Sequence, residues 1–447
     1  MNRRNFLKGM SLAALMALMP NSAIASTLID LNQVNFDSNI YSQNDAQLIL
    51  IYLYGGASEL AGNLTNFAEI NQNSQFKYDT RYITPTENNF WSEAGGEQME
   101  RMLNNGDLNI FRTCFRRDNP VRSHGICTSE NQRGVLNVDD PSYEAGIVAR
   151  LAKILYNQKA IDENTTLPFM TMEGESGFFK PGPINLEKFL YPAAINDNLT
   201  NPYERKLQYE MYTKEEWDSD PRPKETQLSK DMDALAKEIN KDLTLQAAFE
   251  KRAKLDSFIE TIKSQTIPDG INYPDTSFGK KLKNAVHILV NNSDTKVVSL
   301  GSGGLGGWDD HSSAESNYPK RMKELMSSIE VALNHLKAEN KDNVSIMVFC
   351  EFGRNVNLNS AKGWDHGNNQ NLYIFGGKKY FNQVGIVGET TLNIEQNNHR
   401  LFLEPKEGSY EFEPYSIAAT IYKMFGVTNP EVLTKGYGAI DAGLFKS

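Results

Sequence analysis

Two stretches of this 447-residue sequence place an aspartate and a histidine behind glycine and tryptophan: Gly306-Gly307-Trp308-Asp309-Asp310-His311 and Gly363-Trp364-Asp365-His366. The chain has only six histidines, and a third of interest, His124, follows Ser123. Carboxylate oxygens and imidazole nitrogens are the hard and borderline donors that suit zinc, manganese and similar divalent ions. The glycine flanks let the backbone turn sharply enough to aim both side chains inward. A single Asp-His pair in a loop is usually a turn or cap, so the recurrence carries the weight. Glu351 joins the group because it closes an apolar run at 344–350, and Gly353-Arg354 come next. An arginine there is suited to clamp an oxyanion at two points. Ser58 and Glu59 follow Gly55-Gly56 and are weaker candidates, since a polar residue after two glycines commonly only forms a turn. His287 and His335 fall in helical stretches and His399 in a polar loop, and none of the three is assigned chemistry.

Something must hold these residues together. Short apolar runs at 47–54, 108–114, 167–172, 296–300, 344–350 and 372–375 each stop at glycine or polar residues, as strands buried on both faces do. Amphipathic stretches lie between them, the clearest with Met322, Leu325, Met326, Ile329, Leu333 and Leu336 on one face. Strands alternating with helices imply an α/β fold: a central, mostly parallel sheet with helices on both faces and ligands bound beyond the carboxyl ends of the strands. The stretch at about 186–268 differs, being dense in Lys, Glu and Asp with a long helical pattern at 228–262, and reads as an inserted helical cap.

The ends and the composition bound the setting. Arg3 and Arg4, an apolar run at 10–19 ended by Pro20, and Ala23-Ile24-Ala25 form a twin-arginine export signal over 1–25, with the α/β domain occupying 26–447. The apolar run is about half of the roughly 20 residues a membrane span needs, so no span is expected in the mature form, and a periplasmic or extracellular location is. The partner implied is the twin-arginine translocase. A formal net charge of −10 gives no general attraction for nucleic acid or anionic lipid. Three cysteines, Cys114, Cys127 and Cys350, allow at most one disulfide.

Taken in order, Leu53-Tyr54-Gly55-Gly56-Ala57, Arg122-Ser123-His124, Gly307-Trp308-Asp309-Asp310-His311, Glu351-Phe352-Gly353-Arg354, Asp365-His366-Gly367 and a C-terminal helix at 417–425 resemble a known group. It is the Tat-exported bacterial family called domain of unknown function fifteen-oh-one, in the alkaline-phosphatase-like and sulfatase-like superfamily. The resemblance implies one or two divalent ions at the carboxyl edge of the sheet binding a phosphate or sulfate ester. It implies Asp309 and His311 as one pair of metal ligands, Glu351 and His366 as further ligands, Asp365 as the partner that orients His366, and Glu59 as the first-strand carboxylate. Ser123 or His124 would occupy the nucleophile position at a helix N-terminus. The sequence departs from the family pattern where Ser58-Glu59 replaces Asp-Gly, and where counting back from Gly134 puts His124 at the nucleophile position.

Three functions follow as expectations. One is an exported hydrolase of phosphate or sulfate esters dependent on zinc, manganese, magnesium or calcium, with Ser123 or an activated water attacking and Arg354 or Arg122 holding the oxyanion. Another is a non-catalytic envelope binding or assembly protein on the same fold with a degenerate metal site. A metal enzyme of another class, such as a phosphoryl transferase or mutase, is a third.

Overall fold

The computed structural model describes residues 29–36, 44–136, 144–195, 234, 243–395 and 399–446. The export signal at 1–25 lies outside them, as does most of the stretch read as a cap. The strands are β1 (Gln47–Leu53), β2 (Leu108–Phe115), β3 (Phe169–Thr171), β4 (Ala193–Ala194), β5 (Val297–Ser299), β6 (Val344–Cys350), β7 (Asn369–Gly376), β8 (Ile386–Val387), β9 (Thr390–Glu395) and β10 (Arg400–Pro405). The α-helices among the described residues are α1 (Phe67–Asn73), α2 (Gly96–Asn104), α3 (His124–Arg133), α4 (Ile147–Asn157), α5 (Leu243–Ser264), α6 (Ser277–Asn291), α7 (Ala314–Ala338) and α8 (Tyr415–Met424).

Eight strands form one sheet in the order β4-β3-β5-β1-β6-β7-β2-β8, and β9 and β10 form a separate hairpin. Every pairing in the large sheet is parallel except those of β7, which runs antiparallel to both β6 and β2. All seven residues of β1 are buried, which explains their continuous apolar character. Alternate side chains serve opposite cores: Ile49, Ile51 and Leu53 pack with residues of α2, α6 and α7, whereas Leu48, Leu50 and Tyr52 pack with residues of α4 and α8. Each fully buried side chain of this size contributes roughly 1.5–3 kcal/mol of transfer free energy, so β1 is the spine of both layers.

The stripe foreseen on α7 is buried throughout, from Met322 to Leu336. Of the long helix expected at 228–262, the described part is α5, which packs Leu255, Phe258, Ile259 and Ile262 into the same core as α6 and α7. The three cysteines are buried free thiols. No helix among the described residues is long and apolar enough to cross a membrane.

Candidate metal centre

The sheet's directions explain why distant residues meet. Strands β1 and β6 run parallel with Leu53 beside Cys350, so Tyr54-Gly55 and Glu351 leave the sheet at one edge. Strand β5, parallel to β1, exits there too and leads to the loop carrying Trp308, Asp309 and His311. Because β7 is antiparallel to β6, the loop before it, with Asp365 and His366, returns to that edge. Strand β2 is antiparallel to β7, so it also ends there and delivers His124, the first residue of α3.

Local chemistry fixes the loops. Trp308 and Trp364 are fully buried and set their rings edge-on to Tyr318, at 5.9 and 5.2 Å between centroids. The Trp364 backbone N–H donates to the Asp310 carbonyl at 2.7 Å, tying one Asp-His loop to the other. Gly55 has a φ of +114°, and a Cβ there would lie 2.5 Å from the Asp309 nitrogen. Only glycine lets the end of β1 approach the aspartate loop this closely. Helix α3 is held by a buried pair, Arg116 with Glu130, while Asn131 donates to the carbonyls of Cys350 and Glu351 at 2.9 and 3.0 Å.

These constraints gather three imidazoles around one carboxylate oxygen. Asp309 Oδ1 lies 3.5 Å from His124 Nε2, 3.1 Å from His311 Nε2 and 3.6 Å from His366 Nε2. His311 Nε2 and His366 Nε2 are themselves 3.1 Å apart. Among the described residues, His124, Asp309 and His366 offer ligand atoms all within 4.8 Å of one another.

The opposite nitrogen of each ring faces an acceptor. His366 Nδ1 is 2.7 Å from the Arg122 carbonyl oxygen, His124 Nδ1 is 3.1 Å from Glu351 Oε2, and His311 Nδ1 is 3.3 Å from Asp365 Oδ1. A carbonyl or carboxylate oxygen can only accept, and Asp309 Oδ1 is such an acceptor on the Nε2 side of each ring; in the tautomer with every proton held on Nδ1 by the outer acceptor, each Nε2 presents a lone pair. Three lone pairs and a carboxylate oxygen then face one another. That set is repulsive by itself and complementary to a cation, and an outer acceptor on every ring is the arrangement metal-binding histidines usually have.

Two further groups shape the electrostatics. Burial alone would raise the Asp309 pKa, but the Arg354 guanidinium, 2.6 Å from Oδ1, outweighs it and holds the carboxyl below its ordinary value. Burial above all lowers the pKa of His366, and Arg354 and the two other imidazoles act in the same direction, which favours the neutral ring. A cleft of about 1280 Å³ opens beside the cluster, lined among others by Tyr54, His124, Thr128, Glu175, Tyr191 and Glu351.

Residues 200–444, more than half of the chain, match the family described as Protein of unknown function (DUF1501). The chain belongs to that family. No curated protein matches the sequence of this DUF1501 member. Among solved structures it is similar to Ps i-CgsB in complex with k-i-k-neocarrahexaose, at 13% identity and a TM-score of 0.40 over 88% of this chain and 74% of that one. It is also similar to the PsFucS1 sulfatase from Pseudoalteromonas sp., at 12% identity and a TM-score of 0.37 over 92% and 74% of the two chains. A third is the alkaline phosphatase from the Antarctic bacterium TAB5, at 11% identity and a TM-score of 0.35 over 86% and 98%. At these values the site of the DUF1501 chain has to be read from its own residues.

The structure brings His124, Asp309, His311 and His366 together and gives other candidates different places. Glu351 is 2% exposed and accepts from His124 Nδ1, from the Thr128 hydroxyl at 2.8 Å and from the Gly55 N–H, so it braces a histidine from behind. Asp365 faces His311 rather than His366, and its second oxygen meets Arg400 at 3.2 Å. Glu59 is buried, its pKa pushed up to about 8 by burial, and it accepts from the Arg354 backbone N–H. Glu59 is 1% exposed and is not among the groups that converge as possible metal ligands among the described residues. Arg354 is not disposed to clamp an oxyanion, because its N–H groups go to the carbonyls of Gly55, Gly56, Trp308 and Trp364 and to Asp309. Ser123 is exposed at the N-cap of α3 and makes no capping bond.

Sequence reasoning missed Thr128, the Arg122 carbonyl and Arg400. Thr128 was within reach, since it stands four residues after His124 and therefore on the same face of α3. A backbone carbonyl leaves no trace in residue types, and Arg400 comes from a hairpin that the sequence did not announce.

Proposed function

We propose that this DUF1501 protein is an exported hydrolase of phosphate or sulfate esters that uses one divalent ion held by His124, Asp309, His311 and His366. The observation that carries the reading is that three imidazole Nε2 atoms converge on one carboxylate oxygen while each Nδ1 is held by an acceptor. The donor set fits zinc, manganese or a similar borderline ion better than calcium or magnesium, which prefer all-oxygen sites. When bound, such an ion would bring the pKa of a water toward about 7 and offset charge developing on the ester.

The chain's own groups would do the positioning. Glu351, Asp365 and the Arg122 carbonyl fix the proton on Nδ1 of His124, His311 and His366, leaving the inner nitrogens free to bind. Arg354 keeps Asp309 ionised and stitches the ends of β1 and β6 to both aspartate-histidine loops. With His124 in the ligand set, water is the better candidate for the attacking group than the exposed Ser123. The twin-arginine signal at 1–25 would carry the protein, folded and loaded, through the translocase to the periplasm or beyond.

The ion pair between Arg354 and Asp309 favours a second reading, in which the site closes on itself without turnover and the protein binds rather than hydrolyses. Elemental mass spectrometry of protein purified after its own export, beside an Asp309→Ala, His311→Ala double variant, decides whether there is a metal at all. About one equivalent of a divalent ion, absent from the variant, together with hydrolysis of an aryl phosphate or aryl sulfate, is the expected result. Metal without hydrolysis on either ester points to the binding protein, and no metal overturns the proposal.

A further inference from the structure

Between β5 and Trp308 the chain runs Gly301-Ser302-Gly303-Gly304-Leu305-Gly306-Gly307, and two of these glycines stand against charged side chains of opposite sign. A Cβ at Gly301, whose φ is +55°, would collide with Glu173 Oε2, and a Cβ at Gly303 would lie 2.7 Å from Lys281 Nζ. Only glycine lets the backbone pass this close to both groups. Glu173 is fixed in place: the Ser299 hydroxyl donates to its Oε1 and the Tyr54 hydroxyl to its Oε2, the latter at 2.9 Å. Tyr54 in turn accepts from Gln132 Nε2 at 2.8 Å. Burial first, then the charge of Glu173, raises the Tyr54 pKa, so the phenol keeps its proton and stays a donor to the carboxylate.

A pocket of about 470 Å³ opens among these groups, lined by Tyr54, Gln132, Glu173, Glu175, Lys281 and Ser302 among others. Its volume falls in the range of small-molecule sites, about 300–1,000 Å³. Tyr54, Gln132 and Glu175 also line the larger cleft that reaches His124, so the two spaces adjoin. Glu175 is exposed and Lys281 half-buried, and neither has an ion-pair partner among the described residues. The wall therefore carries two carboxylates, which only accept hydrogen bonds, and one ammonium, which only donates them. A simple cation entering the pocket would meet the like charge of Lys281, and a simple anion would meet those of Glu173 and Glu175. A group that carries both charges a few bonds apart answers all three.

We propose that this pocket binds an aminocarboxylate, a zwitterionic group whose ammonium meets Glu173 and Glu175 and whose carboxylate meets Lys281. The assignment stands on the pocket's own residues and requires neither the metal nor turnover. Where the hydrolase reading holds, the opening into the cleft makes the aminocarboxylate the alcohol side of the ester, since the glycine-rich loop that forms one wall runs directly into the ligand Asp309.

The test is calorimetric titration of the purified full chain with glycine, β-alanine and 4-aminobutyrate, which set the two charges at increasing separation, and with the N-acetyl and amide forms of whichever binds most tightly. The wild type, Lys281→Met and Glu175→Gln are compared, with metal content and thermal melting recorded on each. The wild type should bind at least one of the three, and removing either charge from the ligand should weaken binding about tenfold. In Lys281→Met the acid and its amide should bind alike, because the group that tells them apart is gone. In Glu175→Gln the amine and its N-acetyl form should differ by less than in the wild type, with Glu173 still in place. Neither side chain is in the core, so both variants should melt as the wild type does, and the changes made to the ligand keep the test informative on the wild type alone. No binding of any of the three by the wild type, binding indifferent to acetylation and amidation, or undiminished binding in folded Lys281→Met overturns the assignment. Metal and ester hydrolysis without aminocarboxylate binding would remove this inference and leave the hydrolase reading, and binding without metal would do the reverse.

Discussion

The protein keeps two groups of histidines, and the contrast between them separates a binding site from a core. At the carboxyl edge of the sheet, His124, His311 and His366 turn their Nε2 atoms toward Asp309 and one another, with acceptors behind. In the layer of helices α5 to α7, His287 and His335 stack at 6.2 Å between ring centroids and turn outward to neighbours. His287 Nε2 meets the Ile262 carbonyl at 3.0 Å, and His335 Nδ1 meets the Tyr273 hydroxyl at 3.1 Å. Both groups bring imidazole rings close together. The difference lies in where the second nitrogen goes: toward one shared carboxylate oxygen of Asp309 in the edge group, and, for His287, toward Asn291 of its own helix in the other.

The largest effect expected from breaking this contrast is at the edge cluster. His366→Ala should remove a nitrogen ligand and the link to the Arg122 carbonyl, abolishing metal retention and any ester hydrolysis. Its stability without metal should stay within about 1 kcal/mol of the wild type, as for substitutions away from packed cores. Elemental analysis and denaturant melts on one preparation check this. A His366→Ala protein that retains its metal, or unfolds like a core variant, would put both groups in the same class.

The core pair answers to acid. His335 is fully buried, and burial first, then the neighbouring His287 and Lys283, lower its pKa from 6.5 to about 4. Its folded value is below its unfolded value, so the unfolded chain binds more protons between the two. Its contribution is then complete above about pH 6.5 and is lost as the pH falls toward 4. The loss approaches about 3 kcal/mol if the full difference is expressed. Denaturant unfolding between pH 7.5 and 4 should show this loss in the wild type and a flatter profile in His335→Leu. Equal slopes in the two proteins would mean that the ring charges without disturbing α5 to α7.

Much of this arrangement was legible in the residues. Six apolar runs mark β1, β2, β3, β5, β6 and β7, because strands buried on both faces cannot alternate. The glycine and tryptophan flanks marked the two loops that the structure ties together through Trp364 and Asp310. What was not legible depends on register and on atoms rather than types. The two-residue strands β4 and β8 are too short to leave a pattern. Strand β9 has only its first residue buried, so the hairpin that brings Arg400 reads as polar loop. Sequence could place Glu351 and Asp365 near the histidines but not say which ring each would face. Nor could it say that Arg354 would be used up on carbonyls, because those belong to the backbone of three separate loops.

The smallest predicted effect tests the finest part of the contrast, the acceptors behind the edge histidines. Glu351→Gln keeps the size of the side chain and one acceptor oxygen but removes the charge that holds the proton on His124 Nδ1. A partner behind a metal-binding histidine is typically worth about 10–100-fold in metal affinity or activity. The variant should fold, bind metal more weakly by that factor and lose activity in proportion. Competition with a chromogenic chelator measures the affinity. Were Glu351 itself a ligand, the loss would match that of His366→Ala. Were it only a packed acid in the core, stability would fall and metal affinity would not. The intermediate result distinguishes a carboxylate that works through His124 from both, and it follows from Glu351 being held by Gly55 and Thr128 on its other sides.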